Sequence, residues 1–132
     1  MRAKWLDRNL VLGSYYTLCT SPKMFKKELK HLEIPRDRWP VLAGSGNAVT
    51  HFFESGKGKK CAIIYIHLTD ARDPIEVAAL LVHEAVHLWQ WNCQTMGESN
   101  PSSEFEAYSI QWLSQQLMYE YVRQTESRDT KS

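Results

Sequence analysis

Residues 73–90 read Asp73-Pro74-Ile75-Glu76-Val77-Ala78-Ala79-Leu80-Leu81-Val82-His83-Glu84-Ala85-Val86-His87-Leu88-Trp89-Gln90 in a chain of 132 residues. Asp73 offers a side-chain oxygen to the free N–H groups of a helix start. Pro74 has its φ already set and lacks only an N–H that would find no partner there. Glu76, three residues after Asp73, completes a capping box. The helix is predicted to run from Pro74 to about Cys93. Within it His83 and His87 are four residues apart, so both imidazoles leave one face, a turn apart. Two neutral nitrogens so placed can meet one Zn²⁺ at about 2.0–2.1 Å each. Glu84 lies about 100° round the helix from His83, within reach of a water on such a metal without being a ligand. The competing reading, two core histidines beside a surface glutamate, leaves three ionisable groups in need of partners.

Upstream, residues 60–68 are rich in strand formers: Ile63, Ile64, Tyr65 and Ile66. Residues 47–54 carry Val49, Thr50, Phe52 and Phe53, and a Gly-Lys-Gly turn within 55–59 joins the two segments as a hairpin. Ser21-Pro22 is a second cap-and-proline start. It opens a helix over 23–32 with apolar Met24, Phe25, Leu29 and Leu32. Pro35 ends that helix, and 36–45 is a loop. Residues 1–18 mix aromatic and apolar side chains without a decisive period and are expected to pack on the core. Downstream, 94–103 is a short loop. A last helix starts at Pro101 or Glu104 and runs to about Arg123, with Ile110, Leu113, Leu117 and Tyr121 as its core stripe. The tail from 124 to 132 is polar and expected to fray.

H-E-x-x-H on a helix is a zinc-hydrolase pattern in which the glutamate serves as general base. No histidine follows His87, so the third ligand is not a downstream histidine. Cys93 points about 240° away from His87 on the same helix and reads as a small buried residue. Four carboxylates remain: Glu98, Glu104, Glu106 and Glu120. A short loop and an antiparallel helix bring the first turn of that helix back over the histidines, which suits Glu104 and Glu106.

The motif followed by a helical glutamate resembles the gluzincins, the thermolysin-like zinc peptidases. The run Glu104-Phe105-Glu106-Ala107-Tyr108 is similar to the E-x-x-A-x pattern of several branches. These include the ImmA/IrrE-like peptidases, the membrane-bound CaaX proteases and anthrax lethal factor. That likeness implies Glu104 as ligand and Ala107 as the small residue where two helices approach. Tyr108 then stands where those families usually place Asp, Asn or Glu to orient a zinc histidine. In the thermolysin register the ligand directly precedes an alanine, which implies Glu106. Against it, Ser103-x-x-Glu106 also reads as a capping box. The order of preference is Glu104, then Glu106. The chain is also similar to small phage and prophage metallopeptidase-like proteins over roughly 74–117. In zinc peptidases of this class an edge strand preceding the zinc helix pairs with extended substrate. Residues 62–68 are the candidate for that strand, and Tyr65 and His67 for groups that stabilise the oxyanion. Trp89, Trp91 and Trp112 are expected between the two zinc helices.

Sixteen Lys and Arg against fifteen Asp and Glu give a net charge of +1, which argues against nucleic acid or an acidic membrane as partner. Three scattered cysteines fit a reducing compartment. No apolar run reaches the roughly 20 residues of a bilayer span, and no secretory signal opens the chain. The expectation is therefore a cytoplasmic protein (host cytoplasm if phage-encoded) of one α+β domain over 1–132. Its form would be zincin-like, with a small, mainly antiparallel sheet, two zinc-bearing helices and one Zn²⁺. It would hydrolyse peptide bonds in a peptide or protein substrate with Glu84 as base. The alternative is a zinc-site regulatory or protein-binding module with little or no hydrolysis.

Overall fold

The computed structural model describes residues 1–6, 15–42, 48–67 and 73–129. The order is β1 (Tyr15–Cys19), α1 (Pro22–His31), a 3-10 turn (Arg36–Arg38), β2 (Ala48–Glu54), β3 (Lys60–Ile66), α2 (Pro74–Met96) and α3 (Ser103–Asp129). The fold is α+β, with strand order β1-β3-β2. β3 runs antiparallel to β2, as the hairpin demands, and parallel to β1. The sheet is therefore mixed where a mainly antiparallel one was expected. The difference comes from β1, which lies in the N-terminal stretch that lacked a decisive period. Asn47, Leu68 and residues 130–132, expected as strand ends and tail, lie outside the described residues, as do 7–14, 43–46 and 69–72.

β3 is buried from Cys61 to Ile66, and a strand covered on both faces reads as a continuous apolar run. Its even residues Ala62, Ile64 and Ile66 pack with Leu81, Ala85 and Leu88 of α2 and Leu113 and Leu117 of α3. Its odd residues Ile63 and Tyr65 pack with Phe25 and Leu29 of α1. One strand thus separates two cores.

The helix starts follow the capping chemistry. Ser21 Oγ accepts from the Met24 N–H at 3.2 Å, and Asp73 Oδ1 accepts from the Ile75 N–H at 2.9 Å. α2 runs past Cys93 to Met96, where Gly97 takes the left-handed conformation (φ 74°) that stops it. α3 is capped by Ser102, whose Oγ accepts from the Phe105 N–H at 3.3 Å. The cap is thus one residue before Ser103, and Glu106 is left to bond elsewhere.

α3 does not fray at Gln124. That side chain is buried; its Nε2 donates to Leu18 O at 2.8 Å and Glu120 Oε2 at 2.7 Å. Its Oε1 accepts from Thr20 Oγ1 at 2.7 Å. Satisfied amides can be buried cheaply, so a polar stretch here is a locked helix end.

Candidate functional site

His83 and His87 stand on the exposed face of α2. Their Nε2 atoms are 3.2 Å apart, with the rings edge to face. Two ligands of a tetrahedral zinc, each about 2.0–2.1 Å from the metal, sit about 3.3 Å apart. The separation is that of a hydrogen bond between the two rings, and it also matches two corners of such a site. Glu84 turns toward the sheet and is 4% exposed. Its Oε1 accepts from Thr50 Oγ1 at 2.7 Å.

Thr50 is where it is because β2 alternates. Ala48 and Phe52 pack toward α2, with Phe52 against Trp91 at 4.2 Å between ring centroids. His51 and Phe53 turn to the other face, against Phe25. His83, Glu84, His87 and residues of β2 line one cleft of about 300 Å³. Thr50 was missed in the sequence. Its signal is a hydroxyl at the period-2 position between Ala48 and Phe52, on the face a buried glutamate must find.

α3 separates the two candidate third ligands. Glu106 Oε2 accepts from the buried Trp89 indole N–H at 3.0 Å, so Glu106 faces α2. Glu104, two residues earlier, is about 200° round the helix. It is exposed, as is Tyr108 one turn on. Trp89 lies about 240° round α2 from His83 and about 200° from His87, so its bond holds Glu106, itself exposed, on the side of α2 away from the histidines. Ala107 is exposed, while Ser109 is fully buried, so the expected close-packing place moves by two residues. Among the described residues no three His, Cys, Asp or Glu side chains gather into a group that could hold a metal. Burial pushes the Cys93 thiol up, reinforced by Glu106 and Glu98.

Tyr65 and His67 are brought together, but not to this cleft. Tyr65 Oη and His67 Nδ1 are 2.9 Å apart. Tyr65 is an odd residue of β3 and packs with the α1 core, and the pair lines a separate cavity of about 360 Å³ beside α1. Burial raises the Tyr65 phenol above its usual range, with Cys19 adding to the effect. β3 is also not an edge. It is paired on both sides, so it has no free backbone ladder for substrate. The strand edge beside the histidine cleft belongs to β2.

No protein-family model matches this chain, and no curated protein or solved structure matches it. No helix among the described residues is long and apolar enough to cross a membrane.

Proposed function

We propose that this chain is a zincin-like zinc metallopeptidase. The observation that carries the reading is the convergence of His83 Nε2 and His87 Nε2 to 3.2 Å beside a buried glutamate oriented by Thr50. His83 and His87 would hold the zinc, and the third ligand, Glu104 or Glu106, would have to move toward them on loading. When bound, zinc supplies Lewis-acid polarisation of a carbonyl and makes a water more acidic. Glu84 takes the proton of the attacking water and returns it to the leaving nitrogen. Thr50 holds one carboxylate oxygen, leaving the other for that proton. The outer edge of β2 offers backbone N–H and C=O groups to an extended peptide. Phe52 and Trp91 form an aromatic wall at the cleft.

A second reading, a binding module that holds metal weakly and hydrolyses nothing, is favoured by one contact. Glu106 already bonds Trp89 at 3.0 Å and must leave that bond to become a ligand. The test between them is cleavage of a peptide library, read by mass spectrometry, with the zinc-loaded chain. Cleavage that stops on chelation and returns with zinc supports the peptidase. A zinc-loaded, folded chain that cleaves no peptide favours the module.

A further inference from the structure

The balanced net charge hides a segregation. Residues 22–60 hold nine Lys or Arg and four Asp or Glu; residues 73–129 hold two and nine. The helices of the two segments cover opposite faces of the sheet: α1 packs on one core, α2 and α3 on the other. On α1 the exposed Lys23, Lys26, Lys27 and Lys30 fall within about 100° of helix surface, a single stripe. The hairpin turn adds to it, since the Gly56 N–H bonds Leu32 O at 2.9 Å and brings exposed Lys57 to the end of α1. Glu28, the acid within α1, is fully buried under Arg2 and the Trp5 indole and removes no charge from the stripe's surface. The exposed acids on this side are Glu33, Asp37 and Glu54.

Beside the stripe stands an apolar tip. Val41 is 94% exposed, and with Pro40 and Leu42 it borders the cavity whose other wall is Phe25, Lys26 and Leu29 of α1. Cations beside a protruding apolar residue combine electrostatic attraction to anionic headgroups with a small apolar insertion. A single-stranded nucleic acid would want free aromatic faces for its bases. The Trp39 ring instead carries Arg36 at 5.5 Å, and its indole N–H is taken by Ile34 O at 2.9 Å.

We propose that the α1 face docks on an anionic lipid bilayer, with Val41 entering the headgroup region and the lysine stripe lying on the phosphates. The acidic α2 and α3 face then turns away from the membrane. This inference does not rest on the zinc reading.

The test is vesicle flotation of the full chain. The vesicles are phosphatidylcholine alone, or with about 30% phosphatidylserine, at rising salt. Binding is expected only to the anionic vesicles and falls with salt. Replacing the four lysines together by Gln lowers it by about a hundredfold or more. All four are exposed, and circular dichroism checks the fold. Val41→Ser lowers it several-fold and leaves the salt dependence unchanged. No flotation with anionic vesicles overturns the proposal, as does flotation unchanged by loss of the lysines. Equal binding to a DNA duplex or to polyglutamate, with no effect of Val41→Ser, also overturns it in favour of a general polyanion surface.

Discussion

The two faces of the sheet use polar residues in opposite ways. Toward α1, β3 presents Ile63 and Tyr65, and charge stays outside as a lysine stripe, Glu28 apart. Toward α2 and α3 the polar groups go inside: Glu84, Ser109, Glu120 and Gln124 are all buried. An amphipathic helix with a clean apolar stripe needs only burial to hold it. A helix that buries carboxylates and amides must place a partner for each one, and that precision is what a chemical site requires. The difference sets the proposed chemistry on the α2 side apart from the proposed docking face on the α1 side.

Substitutions can break this contrast. Glu84→Gln should lower peptide cleavage by about 10²–10⁴-fold, the usual worth of a general base, with zinc content retained. Tyr65→Phe, on the other face, should stay within about twofold, because its hydroxyl meets His67 and not the cleft. Equal losses in the two variants would erase the distinction. Leu88→Ala, fully buried between α2 and the sheet, should cost about 2–5 kcal/mol in urea unfolding. Thr50→Val keeps the shape but removes the donor to Glu84. It should cost about 1 kcal/mol of stability and slow cleavage more than it weakens substrate binding.

The smallest effect is a pH dependence on the α1 side. Burial against Phe25 and Phe53 lowers the His51 pKa. The unfolded chain therefore takes up this proton first, near pH 6.5. Stability from His51 is full above that pH and is lost as pH falls toward the lower folded value. Denaturant midpoints at pH 8 and pH 5.5 should converge in His51→Gln relative to the wild type.

Much of the fold could be read in the chain because its signals are local. Ser21-Pro22 and Asp73-Pro74 start α1 and α2 where capping chemistry puts them. The hairpin follows from β-formers on either side of a glycine turn. Three features were not legible, and each depends on contacts distant in sequence. β1 is defined by pairing with β3, some 46 residues on. Gln124 looks solvated until Thr20 and Leu18 meet it. At the candidate site, the motif gave His83, Glu84 and His87, but the orienting Thr50 lies 34 residues from Glu84.

The most direct measurement is zinc per chain by elemental analysis, on the wild type beside His83→Ala, Glu106→Ala and Glu104→Ala. The zincin reading requires close to one zinc in the wild type, a clear loss in His83→Ala and a loss in one of the two glutamate variants, which names the third ligand. A well-folded wild type that takes up no zinc when it is supplied would return His83 and His87 to ordinary surface histidines.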